Sequence, residues 1–310
     1  MSAKKFLGKI RTDPWEALAK GPREVMAALW REYLGEALGM DPGSRRAVML
    51  HREIEEAAGF KQIERDWPNL TPEERAAAWG RLMAGAREVV RARQEECLRC
   101  GECCEKGSPT LLAPDLILLA EEVLNWSDVY TLRIGEQVTS REGTVTTLQE
   151  ERLKVREVPG SRQCSFYLAA TNTCRIYEKR PEQCRRQECW GEPTPPPETG
   201  EFLHRGQLFE RVPEVWELIT AHRDRCDLAK VSRALADLEG GREEAGDLLF
   251  DALHFDHYLR QTLREDWQLS EAAAELLLGR PLPEFLRSRG YDAILGPEGT
   301  FRLTRREGGE

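Results

Sequence analysis

The stretch from Glu96 to Gly107, ECLRCGECCEKG, concentrates thiols. It holds Cys97, Cys100, Cys103 and Cys104 within eight positions. A divalent metal ion or an iron–sulfur cluster needs thiolates that converge within a few ångströms, and a C-x-x-C turn aims two sulfurs to the same side. Two such pairs overlap at Cys100, and Gly101 permits the tight turn that a Cβ atom would hinder. The spacing therefore predicts metal binding.

The adjacent thiols Cys103 and Cys104 are harder to assign to one ion. Neighbouring side chains are expected to diverge, so the two are predicted to have different roles. One of them would serve a second metal, a neighbouring iron of the same cluster, or no metal at all.

Four further cysteines follow at the spacing C-x9-C-x9-C-x4-C, namely Cys164, Cys174, Cys184 and Cys189. Strand-like runs on either side of Asn172 predict a hairpin that brings Cys164 near Cys174. With the first four, these thiols would fill two four-thiolate sites or one site with spares. Basic residues surround Cys174 and Cys184 at Arg175, Lys179, Arg180, Arg185 and Arg186. They favour thiolates, and Arg180 and Arg185 would donate to cluster sulfurs, capture an anionic partner or face water.

Composition and charge indicate the partners and the cellular compartment to expect for these thiols. The chain has 310 residues, a net charge of −9 and nine cysteines, and it contains no long run of Lys and Arg. No nucleic-acid partner is therefore expected. The N-terminus lacks a signal-peptide core and no run of 18 apolar residues occurs, so we expect a cytoplasmic protein with no membrane partner. Thiols stay reduced there, and tight clusters of them bind metal or do redox chemistry.

Other possible donors lie in the C-terminal third. Cys226 stands alone in a helical stretch, where a small core residue is the simpler interpretation and an extra ligand the alternative. The segment DALHFDHYL offers Asp251, His254 and His257. Its helical periodicity predicts a buried stripe of Leu248, Ala252, Phe255 and Leu259, which leaves both histidines on the solvated side.

The elements that position the cysteines are mostly helical. Residues 1–94 are predicted to be helices, and the clearest start is the capping box of Thr71 and Glu74, which opens the helix that leads to Cys97. Residues 95–190 form the predicted cysteine core with a short helix and a small antiparallel sheet. A Pro-rich linker at 191–205 precedes C-terminal helices at 206–310, which end in a hairpin. The fold class predicted is α+β, mostly helical.

The motifs CLRCGECC, CSFY, CRIYEKRP and CR resemble the CxxCxxCC cysteine-cluster family of zinc- or iron-chelating proteins. The resemblance spans Cys97 to about Trp190. It implies that the metal is held by Cys97, Cys100, Cys103, Cys104, Cys164, Cys174 and Cys184, with Cys189. The wider family includes flagellin lysine N-methylases, which combine such a cluster with S-adenosylmethionine. This chain shows no Gly-rich methyl-donor loop, so methyl transfer is not carried over and enzymatic activity is left open.

Three functions follow from this pattern. The leading hypothesis is a 4Fe-4S type iron–sulfur cluster with a redox or electron-transfer role, which calls for a redox partner. The alternative is a zinc-chelating, non-enzymatic module that recruits a protein partner. A weaker alternative is metal handling, in which open thiolates pass iron or zinc onward.

Overall fold

The computed structural model describes residues 14–93, 96–140, 143–188 and 197–306. Within them the chain divides into two compact units. The first contains the described residues up to Glu102, with Glu188, and the second contains Cys103–Gln187 and the described residues from 197 onward. In this part of the chain, helices predominate and the sheets are antiparallel strand pairs. The fold is mostly helical α+β, which confirms the predicted class.

The first unit consists of helices. They are α1 (Pro14–Lys20), α2 (Arg23–Leu38), α3 (Arg45–Ala57), α4 (Phe60–Asp66) and α5 (Pro72–Arg93), with a 3-10 turn at Trp67–Asn69. Gly39 ends α2 with a left-handed backbone, and the hydroxyl of Ser44 caps α3. The predicted capping box is present at the start of α5. Glu74 N–H donates to Thr71 Oγ1 at 3.3 Å and Thr71 N–H donates to the Glu74 carboxylate at 2.8 Å.

Aromatic packing organises the core of this first unit. Trp30 is fully buried. Its ring stacks on Tyr33 and Phe60, with centroids 5.6 and 5.9 Å away, and meets Trp79 edge-on at 5.8 Å. These rings come from α2, α4 and α5, so they tie together the helices that precede the first cysteine.

The second unit combines short strands with helices. Its helices are α6 (Glu102–Lys106), α7 (Leu116–Ala120), α8 (Glu182–Arg186), α9 (Arg205–Phe209), α10 (Pro213–Arg225), α11 (Leu228–Glu239), α12 (Ala245–Glu265), α13 (Glu271–Leu278) and α14 (Leu282–Ser288). Three 3-10 turns lie at Ala113–Asp115, Trp126–Asp128 and Tyr177–Lys179. Its strands are β1 (Val129–Leu132), β2 (Gln137–Thr139), β3 (Val145–Thr147), β4 (Arg152–Val155), β5 (Tyr167–Leu168), β6 (Thr173–Cys174), β7 (Tyr291–Leu295) and β8 (Phe301–Arg305).

The strands pair in antiparallel twos: β1 with β4, β2 with β3, β5 with β6 and β7 with β8. The last pair is the hairpin predicted at the end of the chain, and Gly299 supplies the positive φ of 75° that its turn requires. An extended segment after α6 lies against β4, since Leu111 N–H donates to Leu153 O at 2.8 Å and Val155 N–H donates to Pro109 O at 3.0 Å. This segment fixes α6 to the sheet.

Apolar side chains of the second unit form a core around β1 and β4 and another among the C-terminal helices. The first of these cores contains Cys104, Cys164 and Cys174. None of the helices in the described ranges is long and apolar enough to cross a membrane.

Candidate metal centre

Cys97 and Cys100 lie in the irregular segment that follows α5, and both are half-buried. The guanidinium of Arg46 anchors the start of this segment, because Nη1 donates to Glu96 O at 2.8 Å and Nη2 donates to Arg93 O at 3.0 Å. Gly101 has a positive φ of 79°, as the predicted turn requires. These two thiols belong to the first unit.

Cys103 and Cys104 lie on the short helix α6, and their Sγ atoms are 3.9 Å apart. The expectation that these neighbouring side chains diverge is therefore wrong. A tetrahedral ion with metal–sulfur bonds of about 2.3 Å places two thiolate sulfurs about 3.8 Å apart. The cysteine doublet, Cys103 and Cys104, thus has the spacing of two ligands to one ion. Whether the two thiols have different roles stays a prediction.

The backbone holds Cys164 directly against α6. Its N–H donates to Cys104 O at 2.8 Å, and its own carbonyl accepts from Tyr167 N–H at 3.0 Å. Cys164 also bridges Glu157 in an antiparallel contact beyond the end of β4. The side chain is 7% exposed. The local backbone therefore fixes this thiol beside the doublet.

The predicted hairpin that carries Cys174 is present. Strand β6 places Cys174 opposite Tyr167 of β5. Asn172 has a positive φ of 51° in the turn, and its side-chain oxygen accepts from Tyr167 Oη–H at 2.6 Å. Cys164 and Cys174 share one apolar core, which confirms that the hairpin brings them close.

Cys184 lies on α8, and two contacts dock this helix onto the extended segment after α6. Glu182 N–H donates to Asp115 Oδ1 at 2.8 Å, and Thr110 N–H donates to Gln183 Oε1 at 2.6 Å. Burial raises the pKa of the Asp115 carboxyl. Hydrogen bonds from two backbone N–H groups counter that effect, so the carboxylate serves as an anchor for α8.

The thiols of the second unit lie close enough to influence one another's ionisation. The hydrogen bond to Cys103, burial, and the charges of Cys103, Cys184 and Cys164 hold the pKa of the Cys104 thiol far above its ordinary value. Burial raises the pKa of Cys164 to about 11, and the charge of Cys174 adds to the rise. Protonated thiols packed this closely favour a cation, which replaces their protons.

Of the predicted ligands, Cys103, Cys104, Cys164, Cys174 and Cys184 therefore lie together in the second unit. Cys97 and Cys100 belong to the first unit. Cys189 lies outside the described residues.

The basic residues around Cys174 and Cys184 are largely engaged with protein groups. Lys179 pairs with Glu121 at 2.9 Å, and Arg186 pairs with Glu182 and Glu201 at 3.2 Å. The Arg175 guanidinium lies 5.0 Å from the centre of the Phe166 ring, and Arg180 lies 4.3 Å from that of Tyr177. Arg185 is exposed. Contact of Arg180 or Arg185 with a metal-bound sulfur stays a prediction.

A second cluster of donor atoms was missed by the sequence reasoning. Donor atoms of His222, Cys226 and Asp256 lie within 4.8 Å of one another, and all three residues are at most 1% exposed. His222 Nε2 lies 2.8 Å from Asp256 Oδ1, which also accepts from Arg260 Nε–H at 2.9 Å. Asp256 Oδ2 accepts from Leu282 N–H at 2.9 Å.

These contacts make the second cluster a structural clamp. Both oxygens of Asp256 are already engaged, and the positive charge of Arg260 disfavours a metal cation. Burial lowers the pKa of His222 to about 4, although its hydrogen bond to Asp256 opposes the change. Burial raises the pKa of Cys226 to about 12. Cys226 packs as a core residue, as its lone position predicts.

Asp251, His254 and His257 do not form a site in the structure. Asp251 pairs with Arg225 at 2.7 Å, and the two half-buried histidine rings pack against Tyr258 and Phe301. The buried face of α12 includes Leu249, Ala252, Leu253 and Asp256, whereas Leu248 is 45% exposed. The predicted stripe is therefore wrong by about one position, because apolar side chains flank it on both sides and Asp256 is buried by its ion pairs.

Comparison with known proteins bears on the cysteine region. Residues 96–208 match the CxxCxxCC family model, described as a "Putative zinc- or iron-chelating domain". The chain is similar to this family over residues 96–208, which are called the CxxCxxCC domain below. The match confirms the resemblance expected from the cysteine motifs, and it supports metal binding by the domain. No curated protein and no solved structure matches the chain.

Proposed function

We propose that the CxxCxxCC domain holds a 4Fe-4S type iron–sulfur cluster through its cysteines and serves a redox or electron-transfer role in the cytoplasm. The observation that carries the proposal is the gathering of thiols from α6, β6, α8 and the segment before β5 around Cys104. A thiolate-only donor set suits an iron–sulfur cluster. The number of cysteines in the domain exceeds the four that one zinc ion takes.

The residues around the thiols supply the environment that such a cluster needs. Phe166 and Tyr167 are buried beside Cys164 and Cys174, and they limit the access of water. Backbone hydrogen bonds from Phe166 and Tyr167 act to lower the pKa of the Cys164 thiol, so they would offset negative charge at its sulfur. The cluster, when bound, would supply one-electron chemistry. A redox partner protein would then exchange electrons with the domain.

A zinc module is the second candidate, and the spacing of the doublet favours it. One zinc ion can take both thiolates of a pair whose sulfurs are 3.9 Å apart. A 4Fe-4S cluster bound by four cysteines takes one thiolate at each iron and needs only one member of the doublet. In the zinc case the metal would stabilise the short elements of the domain directly and the helices would recruit a partner.

The deciding experiment is metal and acid-labile sulfide analysis of air-free protein, with visible and paramagnetic-resonance spectra. Iron and sulfide in similar amounts, with a visible absorption that reduction bleaches, are expected. Colourless protein with stoichiometric zinc would replace the proposal with the zinc module. Protein that binds neither metal would refute both candidates.

Two serine variants test which thiols form the site. Cys100→Ser should lower metal content sharply, whereas Cys226→Ser should leave it unchanged, because Cys226 packs in the core of the C-terminal helices. Equal loss from the two variants would show that the ligand set is wrong.

A further inference from the structure

A cleft of about 420 Å³ opens in the second unit beside the elements that carry the cysteines. Lys106 lies on α6, two residues after Cys104, and Gln183 and Arg186 lie on α8 on either side of Cys184. The cleft is therefore built in part by the helices that position the thiols. Its volume is within the range of small-molecule sites.

The charged residues that line this cleft are all basic. They are Lys106, Arg152, Lys154, Arg162 and Arg186, and no Asp or Glu is among the described residues of the lining. Glutamates outside the lining pair with three of them: Glu150 with Arg152 at 3.4 Å, Glu157 with Lys154 at 2.7 Å and Glu201 with Arg186 at 3.2 Å. These pairs hold the cations in place, and their carboxylates lie outside the lining of the cleft.

Two arginines keep unused capacity for an anion. Arg162 Nη2–H donates to the carbonyl oxygens of Thr139 and Ser140 at 2.9 and 2.8 Å, and neutral acceptors do not cancel its charge. The Arg152 guanidinium stacks on Phe202 with its carbon 3.7 Å from the ring centre, and its buried Nε–H has no hydrogen-bond partner. A buried donor without a partner is costly, and an anionic oxygen would satisfy it if the guanidinium turned toward the cleft.

The remaining wall is apolar. Leu132, Val138, Leu148 and Phe202 line the cleft next to these cations. An inorganic anion would leave this surface uncovered, whereas an organic anion covers it with its apolar part.

From this arrangement we infer that the cleft binds a small organic anion, which presents a carboxylate or phosphate group to Arg152 and Arg162 and an apolar part to the wall around Phe202. The site is distinct from the thiolates, so this inference does not depend on which metal they hold.

The test is calorimetric titration of the metal-loaded chain of 310 residues with phenyl phosphate, benzoate and benzyl alcohol. Saturable binding of at least one anion is expected, at least tenfold tighter than benzyl alcohol and weaker at higher salt. A preference for phenyl phosphate would assign a phosphorylated ligand, and a preference for benzoate a carboxylic acid. Binding of the anions no tighter than benzyl alcohol would overturn the inference.

Variants locate the binding. Arg162→Gln and Arg152→Gln should each weaken anion binding at least tenfold, whereas Arg302→Gln, an exposed arginine on β8 outside the cleft, should not. Because Arg162 is exposed, its replacement leaves the core intact even if Arg152→Gln disturbs folding. Metal content is measured on every variant, so loss of anion binding with metal retained separates this inference from the proposed function. Equal weakening by Arg302→Gln would overturn it.

Discussion

Cys104 lies among three other thiols, since the charges of Cys103, Cys164 and Cys184 all act on its pKa. Its backbone carbonyl also accepts the N–H of Cys164. A 4Fe-4S cluster would therefore take Cys104 as its ligand from α6 and leave Cys103 beside it.

The doublet gives a prediction that separates the two metals. Cys104→Ser should remove most of the bound metal, and Cys103→Ser should cost little, if an iron–sulfur cluster uses one thiolate from α6. Metal content per chain, measured by elemental analysis, checks this expectation. Cys226→Ser is the control for loss of a buried thiol. Equal, severe loss from both doublet variants would instead indicate one ion shared by the two sulfurs.

Some residues of the candidate site could be predicted from the sequence because their geometry is local. The hairpin that carries Cys174 depends on Asn172 a few residues away, and the turn at Gly101 depends on a positive φ that glycine adopts easily. The close approach of the doublet sulfurs could not be predicted. It depends on side-chain rotamers on α6, which residue types alone do not determine.

At the scale of elements, the contacts of Arg46 connect α3 to the segment that presents Cys97. Arg46 is 4% exposed, and its guanidinium donates to Arg93 O at the end of α5 and to Glu96 O just before Cys97. Carbonyls at a helix C-terminus have no partner within the helix, and a cation is favourable there. Arg46 therefore fixes where the chain leaves α5.

Removal of this anchor should affect both stability and metal binding. Arg46→Met keeps an unbranched apolar stem but removes the guanidinium and both hydrogen bonds, at a cost of about 2–3 kcal/mol in the free energy of unfolding. The freed segment should also bind metal more weakly through Cys97 and Cys100. Chemical denaturation and a competition assay with a chelator measure the two effects. As the control, Arg52→Met removes only an exposed ion pair with Glu56 on the same helix and should change stability and metal affinity little. Losses in Arg52→Met as large as those in Arg46→Met would contradict the anchor role.

Element prediction succeeded where sequence signals were strong and local. The capping box at Thr71 is present as expected. The buried face of α12 was misjudged, because Asp256 is a charged residue that is tolerable in the core through Arg260 on the same helix and through His222 and Leu282 on other elements. The last two are distant in sequence, so helical periodicity alone could not reveal them.

For the molecule as a whole, the clamp around Asp256 joins several C-terminal elements of the second unit. His222 comes from α10, Asp256 and Arg260 from α12, and Leu282 N–H from the start of α14. Arg260 Nη2–H also donates to Gly279 O at 2.8 Å. A buried network of this kind is stable only while each member keeps its charge state.

The clamp predicts that stability falls in mild acid. The pKa of His222 is about 4 in the folded protein and about 6.5 in the unfolded chain. Between these values the unfolded state binds more protons, so the free energy of unfolding decreases as pH falls from about 6.5 to 4, by about 3 kcal/mol at most. The lowered pKa of Asp256 extends the loss to still lower pH. Denaturation curves across this range test the slope of the free energy of unfolding against pH.

His222→Gln, which cannot titrate, should be less stable at neutral pH but show a flatter dependence of stability on pH, whereas His257→Gln should keep the slope of the unmodified protein. If His222→Gln kept the slope of the unmodified protein, the acid sensitivity would belong to other groups. The cysteine thiols would be the first of these to test, by following metal release over the same pH range.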